Sequence, residues 1–361
     1  MRQITLDSIE LLRDMVRVPS ESFNEGAVCS LISSRLDSWG IAHKVIGRNI
    51  LAFNRNYDPS LPALAFDAHI DTVPAAESYT RDPLDPGDSP DVVWGLGSND
   101  DGGSVVSMIA AFRHFLEADL PFNLALVLSC EEERSGPDGA RLVYGQNGPA
   151  EASGIRWVIL GEPTGMRAAT SERGLLVLDC EAAGVSGHAA RDEGVNALYI
   201  AMDDIAALRA YDFNRISPMM GKVKLTVTQI NAGTAHNVVP DKCTFVVDIR
   251  PTEQYTNEEI VSSLQALCRS TLKARNLLNR SSATPMDSAL AATVDRLGIE
   301  TFSSPTTSNW MRIGEREGIK MGPGDSARSH HADEFILCSE IDDAVEKYIN
   351  FVENFYGHTL E

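Results

Sequence analysis

The sequence predicts an α/β fold, a mixed sheet flanked by helices, interrupted by a smaller inserted α+β domain. Two observations lead to this prediction. Apolar runs of strand length alternate with segments of helical periodicity as far as Gly161, and after Thr164 the order changes to strand, helix, strand, strand and helix. With 361 residues, the chain is also longer than one ordinary hydrophobic core supports, so a second domain is expected.

The first domain is predicted from alternating helices and strands. Helical spacing of apolar residues predicts helices over 8–18, 25–39 and 104–118, the last of which begins after a Gly-Gly pair. Strands are predicted at 48–54, 63–70, 124–130 and 157–161. This alternation is typical of a sheet with helices on both faces, where active groups collect at the ends of strands.

The insert is predicted as a layer of strands and a layer of helices. Strands are expected at 174–184, 223–230 and 243–250, and helices at 196–211 and 256–276. Thr256 is the expected cap of the last helix, with Glu258 and Glu259 in its first turn. The sequence therefore assigns the insert to 172–280 and the first domain to 1–171 and 281–361, ending in a helix over 339–356.

Composition excludes several classes of function. A net charge of −20 without a basic stripe argues against nucleic-acid binding. No stretch reaches the roughly 18 apolar residues that span a bilayer, and the N-terminus lacks a signal-peptide pattern. The six cysteines are scattered without a Cys-x-x-Cys pair, as in proteins of a reducing compartment. We therefore expect a cytoplasmic protein that contacts neither nucleic acid nor membrane.

Metal-ligating side chains recur along the chain, most of them where predicted strands stop or helices begin. They supply two imidazoles and three carboxylates, namely His69, Asp100, Glu133, Glu162 and His330. Such a set suits two divalent ions about 3.5–4 Å apart that share a carboxylate. The sequence therefore indicates a metal-dependent hydrolytic centre.

Single motifs leave alternatives open. Asp100 lies in a glycine-rich turn that would suit a shared ligand, although Asn-Asp-Asp-Gly-Gly alone is also typical of a helix-capping turn. The glutamates at 131–133 fit one metal ligand and one general base without indicating which is which, and alone they could be a solvated acidic loop. Asp71 lies two residues after His69, which is suitable for orienting a metal-bound imidazole.

Taken together, the motifs resemble the M20 family of dizinc metallopeptidases and amidohydrolases, in particular its acetylornithine deacetylase branch. They follow the family's order over nearly the whole chain: Ala-His-Ile-Asp-Thr at 68–72, Gly-Leu-Gly-Ser-Asn-Asp at 95–100, Cys-Glu-Glu-Glu at 130–133, Gly-Ala-Arg at 139–141, Gly-Glu-Pro-Thr at 161–164, Gly-His-Ala-Ala-Arg at 187–191, Gly-Thr-Ala-His-Asn-Val-Val-Pro-Asp at 233–241, Asp-Ile-Arg-Pro at 248–251, Gly-Pro-Gly-Asp-Ser at 322–326 and Ser-His-His-Ala-Asp-Glu at 329–334.

The resemblance implies a role for each candidate residue of the metal centre. It implies two Zn²⁺ ions per subunit, with Co²⁺ or Mn²⁺ as substitutes, and a cis peptide after Asp100. Asp100 would contact both ions, His69 and Glu162 would hold one, and Glu133 and His330 would hold the other. Catalytic roles would fall to a general base and to the aspartate that orients His69, namely Glu132 and Asp71.

The resemblance also implies that the insert is a lid and dimerisation domain, so that the protein is a homodimer. His188 would stabilise the oxyanion of the reaction, and Arg250, Asn237 and the backbone of Gly324 would bind a substrate carboxylate. Two positions depart from the pattern of many relatives, Gly102 in place of lysine and Glu131 in place of aspartate. Neither is an expected ligand, so the chemistry is expected to survive.

The expected activity is hydrolysis of a small N-acyl amino acid. Having Glu162 instead of aspartate resembles members that act on substrates with a free α-carboxylate. An N-acetylornithine deacetylase of arginine biosynthesis is the first expectation, with N-acetylcitrulline or N-succinylornithine as variants. Succinyl-diaminopimelate desuccinylase and an M20 dipeptidase or carboxypeptidase are the alternatives, and a catalytically silent metabolite-binding relative is the non-enzyme alternative.

Overall fold

A computed structural model describes residues 2–191 and 193–355, and the chain forms two compact units. Unit 1 comprises Met1–Thr170, Thr284–Phe302 and Ser308–Glu361, and unit 2 comprises Ser171–Ala283 and Ser303–Thr307. The predicted insert at 172–280 lies within the first stretch of unit 2. The short stretch 303–307, which the sequence assigned to the first domain, lies in unit 2, where Arg173 N–H donates to the carbonyl of Ser304 at 3.2 Å. Met1 and 356–361, the ends of the predicted first domain and of its last helix, lie outside the described residues.

The helices and strands have the following bounds in chain order. The helices are α1 (Gln3–Val16), α2 (Gly26–Ser38), α3 (Gly103–His114), α4 (Ala140–Tyr144), α5 (Ala197–Ala210), α6 (Asn257–Gln265), α7 (Ala289–Arg296) and α8 (Cys338–Phe355). The strands are β1 (His43–Ile46), β2 (Asn49–Phe53), β3 (Ala63–His69), β4 (Val92–Trp94), β5 (Asn123–Ser129), β6 (Ile155–Leu160), β7 (Ala168–Glu172), β8 (Leu176–Ala183), β9 (Gly187–His188), β10 (Lys224–Ala232), β11 (Val238–Val239), β12 (Lys242–Arg250), β13 (Thr271–Ala274), β14 (Ser282–Ala283), β15 (Thr301–Ser304), β16 (Glu317–Lys320) and β17 (Phe335–Leu337).

The main sheet of unit 1 has the strand order β1-β2-β5-β3-β6-β16-β7. Its centre is parallel, since β3 pairs in parallel with β5 and β6, and β6 in parallel with β16. The pairs β1–β2, β2–β5 and β16–β7 are antiparallel, which makes the sheet mixed. In register, His69 lies opposite Ser129 and Asp67 lies opposite Leu160, so β3, β5 and β6 end at the same edge.

Both faces of this sheet are covered, which confirms the predicted fold class. All seven residues of β3 are buried. Leu64 and Phe66 pack into a core formed with α1, α2, α3 and α8, whereas Ala63 and Ala65 pack on the other face with residues of α4. Because β3 faces a core on both sides, it reads as a continuous apolar run instead of an alternating one.

Unit 2 contains a four-stranded sheet with the order β10-β12-β8-β13 and a core of its own. Along β12, buried residues alternate with partly exposed ones, because one face of the strand packs with α5 and α6. The strand-helix-strand-strand-helix order of the prediction is therefore observed as β8, α5, β10, β12 and α6.

The predicted helix over 256–276 is wrong in its second half. Its start is confirmed, since Thr256 Oγ1 accepts a hydrogen bond from Glu259 N–H at 3.1 Å and Glu259 Oε2 accepts one from Thr256 N–H at 2.9 Å. The helix ends at Gln265, and the carboxylate of Asp204 then accepts the N–H groups of Arg269 and Ser270 at 3.0 and 2.7 Å. These contacts stabilise a turn, after which β13 pairs with β8.

No helix within residues 2–191 and 193–355 combines the length and apolar character that crossing a bilayer requires.

Candidate metal centre and active site

The candidate site in unit 1 lies where its parallel strands end. His69 is the last residue of β3, the segment 131–133 follows β5, and Glu162 follows β6. Asp100 lies in the turn before α3, with a non-helical backbone (φ −121°, ψ 94°). The peptide bond between Asp100 and Asp101 is cis, which confirms the expectation drawn from the resemblance.

Asp100 lies between two histidines. Its Oδ1 atom is 3.1 Å from His69 Nε2, and its Oδ2 atom is 3.8 Å from His330 Nε2. His330 Nε2 also contacts Glu133 Oε1 at 2.9 Å. The carboxylate of Asp100 therefore has one oxygen directed to each histidine, as a ligand shared by two cations requires.

Among the residues that the structure describes, two groups of three side chains have ligand atoms within 4.8 Å of one another. One group is His69, Glu132 and Glu162, and the other is His69, Asp100 and Glu133. Nitrogen and carboxylate oxygen donors in such clusters fit divalent ions. The like charges of the carboxylates also favour a cation, since they would otherwise repel one another at a partly dry site. The residues present therefore fit a two-metal centre.

The electrostatics of the site shift the pKa values of its titratable groups. Burial raises the pKa of Glu132 well above its usual range, and the carboxylates of Glu162, Glu133 and Asp71 add to this rise. The hydrogen bond to Glu133 raises the pKa of His330 to about 9. The shift at Glu132 therefore comes first from burial and then from neighbouring carboxylates, and the shift at His330 comes from its carboxylate partner.

Asp71 contacts His69 chiefly through its backbone. His69 Nδ1 lies 2.9 Å from the carbonyl oxygen of Asp71 and 3.5 Å from its Oδ1 atom. The carboxylate itself accepts the N–H groups of Glu132 and Glu133 at 3.0 and 3.1 Å and the hydroxyl of Ser22 at 2.7 Å. Asp71 therefore contacts both the candidate ligand His69 and the segment that carries the candidate base.

Sequence reasoning missed the function of Glu334 in shaping the turn that carries Asp100. Its carboxylate accepts three backbone N–H groups, from Gly97 at 2.9 Å, Asn99 at 2.9 Å and Asp100 at 2.8 Å. Burial raises the pKa of Glu334 to about 7. Its place in the 329–334 motif indicated that Glu334 belongs near the site. Its partners lie more than 200 residues away in sequence, so local patterns could not predict these hydrogen bonds.

The remaining predicted site residues are in different parts of the fold. Gly324 lies in unit 1 with a left-handed φ of +83°, and a Cβ atom there would come within 2.3 Å of Asn99 Oδ1. His188 lies in unit 2 on β9, which pairs with β11, and Asn237 lies in the turn just before β11. The backbone carbonyl of Asn237 accepts a hydrogen bond from the N–H of Ala189 at 3.0 Å. Their predicted roles toward substrate stay predictions.

Arg250, at the end of β12, already has a carboxylate partner. Its Nε and Nη2 atoms donate to Asp248 Oδ1 and Oδ2 at 2.8 and 3.1 Å. This bidentate pair fixes the plane of the guanidinium within unit 2. The sequence motif did not suggest this contact with Asp248, and the role of Arg250 toward a substrate carboxylate stays a prediction.

Comparison with known proteins finds similarity to proteins of the M20 family. Residues 170–276 match the peptidase dimerisation domain of the M20 family. Over 273 residues, the chain is 27% identical to the succinyl-diaminopimelate desuccinylase of Xylella fastidiosa strain M23, covering 72% of each protein.

Solved structures share the fold at lower sequence identity. An M20 family metallo-carboxypeptidase from Sulfolobus solfataricus superposes with a TM-score of 0.76 at 15% identity, covering 98% of this chain and 99% of the other. A dinuclear metal-binding M20 peptidase from Bacillus subtilis superposes with a TM-score of 0.71 at 17% identity, covering 97% of each chain. Taken together, these matches show that the chain is similar to M20 metallopeptidases and desuccinylases, and that its residues 170–276 match the dimerisation domain of that family.

Proposed function

We propose that the protein is a metal-dependent amidohydrolase that removes the acyl group from a small N-acyl amino acid. The observation that carries this proposal is the grouping of Glu132 with His69 and Glu162, whose ligand atoms lie within 4.8 Å of one another. A carboxylate that is adjacent to a metal site and prone to hold a proton is suited to general acid–base catalysis.

We assign the ligands on the basis of the contacts within unit 1. His69 and Glu162 would hold one Zn²⁺, Glu133 and His330 the other, and Asp100 both, with Co²⁺ or Mn²⁺ as substitutes. When bound, two such ions polarise the acyl carbonyl and lower the pKa of water toward about 7.

The chain's own residues would move the proton and position the substrate. Glu132 would accept the proton of the attacking water and return it to the departing amine. His188 would donate to the developing oxyanion. Arg250, Asn237 and the backbone of Gly324 would position the carboxylate of the amino acid and thereby the scissile amide.

The choice of acyl group is the finer part of the proposal. The name of the Xylella relative favours N-succinyl-diaminopimelate, whereas the motif resemblance favours N-acetylornithine. The Sulfolobus neighbour favours a peptide with a free carboxyl end. All three are linear amides near a carboxylate, so the proposed chemistry is the same.

The test is hydrolysis of a substrate panel by the purified protein. The panel contains N-succinyl-diaminopimelate, N-acetylornithine, N-acetylcitrulline, N-succinylornithine and a dipeptide, each with and without chelator, and each with wild type and Glu132→Ala. We expect turnover of at least one substrate, its loss with chelator and its recovery with Zn²⁺, and a loss of about 10²-fold or more in Glu132→Ala, the scale of general acid–base catalysis. Turnover that is indifferent to both changes would contradict the mechanism.

The metabolite-binding alternative has its own outcome in this test. If no panel member is hydrolysed although two equivalents of metal are bound, the catalytically silent relative becomes the better description. The complete set of candidate ligands in unit 1 argues against this outcome.

The assembly and location of the enzyme also belong to this proposal. The match of 170–276 to a dimerisation domain supports a homodimer, and the scattered cysteines support a cytoplasmic location. A small molecule, not a nucleic acid or a membrane, is the proposed partner.

A further inference from the structure

Arg48, in the turn between β1 and β2, faces two buried glutamates. Its Nη2 atom donates a hydrogen bond to Glu131 Oε1. Its Nε atom lies 2.8 Å from Glu25 Oε2, so the two side chains form an ion pair, although the geometry is not that of a hydrogen bond. The side chains of Glu25 and Glu131 are 0% and 1% exposed, whereas that of Arg48 is 31% exposed. A single guanidinium thus compensates two carboxylates that solvent does not reach.

Further contacts of these carboxylates fix the backbone at Glu131. Glu25 Oε1 accepts the N–H groups of Glu131 and Phe23 at 3.0 and 2.8 Å. Glu131 Oε2 accepts the N–H of Asp138 at 2.9 Å. Glu131 itself has a left-handed φ of +59°, a conformation that is uncommon for a residue with a side chain and that these contacts help to hold.

This backbone leads directly to the proposed base and one proposed ligand. The N–H groups of Glu132 and Glu133 donate in turn to the carboxylate of Asp71. A displacement at Glu131 would therefore move both following carboxylates relative to His69.

We propose that Arg48, Glu25 and Glu131 form a positioning clamp, the Arg48 clamp, that sets the places of Glu132 and Glu133 at the metal centre. Arg48 is a positioning residue in this scheme, since it acts through Glu131 and touches neither substrate nor metal. The proposal rests on the function proposed for the site, and it adds a residue that lies outside every motif of the sequence.

The experiment compares Arg48→Met with wild type in metal affinity and kinetics. The affinity of the metal-free protein for Zn²⁺ is measured by competition with a chromophoric chelator, and kcat and KM are measured on whichever panel substrate is hydrolysed. We expect about 10- to 100-fold weaker binding of one of the two ions and a similar fall in kcat, with KM changed less than about twofold, because groups that orient ligands have effects of this size.

Two further variants separate charge from position. Arg48→Met combined with Glu131→Gln removes one of the buried charges left without a partner, so it should regain part of the lost metal affinity. Arg48→Lys keeps the charge but presents one nitrogen to two carboxylates, so an intermediate loss is expected. If Arg48→Lys keeps the full metal affinity of wild type, the proposal that both contacts of Arg48 are needed is wrong. The same variant provides the test if Arg48→Met does not fold.

Arg35→Met is the matched control. Arg35 pairs with Asp14 at 2.6 Å, with side chains 25% and 31% exposed, in the helical layer of the same unit. It should lower thermal stability without changing metal affinity or kcat. If Arg48→Met behaves like Arg35→Met, the clamp is only structural and the proposal is wrong.

Failure of the clamp and failure of the proposed function remain distinguishable. If wild type hydrolyses no panel substrate, the proposed function fails, and the Zn²⁺ competition still decides whether Arg48 positions a ligand. If wild type is active and Arg48→Met keeps both its metal affinity and its kcat, only the clamp fails.

Discussion

At the scale of single residues, Asp71 has a structural role that its place in the sequence did not predict, because its carboxylate also binds the segment that carries Glu132 and Glu133. Its position two residues after His69 predicts that it orients the imidazole. The shorter contact to Nδ1 comes from its carbonyl oxygen, and its carboxylate accepts the N–H groups of Glu132 and Glu133. Asp71 therefore links the end of β3 to the segment after β5.

Asp71→Ala should consequently lower both turnover and stability. Loss of the carboxylate leaves N–H groups at a partly buried site without their acceptor, which costs about 1–3 kcal/mol of unfolding free energy. The displaced base should reduce kcat about tenfold or more. Urea unfolding and steady-state kinetics measure the two effects.

Ser22→Ala is the control for Asp71, because it removes one hydroxyl contact to the carboxylate and leaves both backbone contacts in place. It should retain most of the turnover. Undiminished kcat in Asp71→Ala would show that the aspartate is only a neighbour of the site.

At the scale of elements, α6 shows where local sequence determines structure. The capping box of Thr256 and Glu259 satisfies N–H groups in the first turn, and both residues lie within four positions of each other. The end of the same helix depends on Asp204, which lies 65 residues from Arg269 in sequence. The start was therefore predictable and the end was not.

Thr256→Ala should destabilise unit 2 by about 1 kcal/mol, because Glu259 N–H loses its acceptor. Thr256→Ser keeps the hydroxyl and should remain close to wild type. Thermal unfolding followed by circular dichroism measures the difference. Equal midpoints for the alanine and serine variants would contradict the role of the cap, and turnover should be unchanged in both.

At the scale of the whole molecule, unit 2 exposes apolar side chains on an edge strand and on a helix. Strand β10 lies at an edge of its sheet, and Ile230 on it is 45% exposed. On α5, Tyr199 and Met202 are 64% and 54% exposed, one helical turn apart. Exposed apolar groups beside an open strand edge are typical of an interface.

We therefore expect the 39.2 kDa chain to sediment as a homodimer. Replacing Tyr199 and Met202 together by lysine should shift the protein toward monomer, because charges would be buried in the interface. Met286→Lys is the control, since this methionine is 92% exposed and lies in unit 1. A wild type that sediments as a monomer at micromolar concentration would contradict the homodimer.

By itself, the sequence predicted the fold class, the resemblance to the M20 family and the candidate metal ligands. Apolar periodicity reports burial directly. His69 and Glu162 lie at strand ends and Asp100 lies just before α3, all of which the chain marks locally. Parallel pairing of β3, β5 and β6 then brings the ends of these strands to one edge of the sheet, so the sequence could predict that the residues following them lie close together.

Only the tertiary structure decided which groups hold these ligands in place. Glu334 accepts N–H groups from the turn around Asp100, and Arg48 compensates Glu25 and Glu131. These partners are separated by tens to hundreds of residues in sequence. Burial makes each such polar contact necessary, but only the packing of the folded chain determines which distant partner provides it.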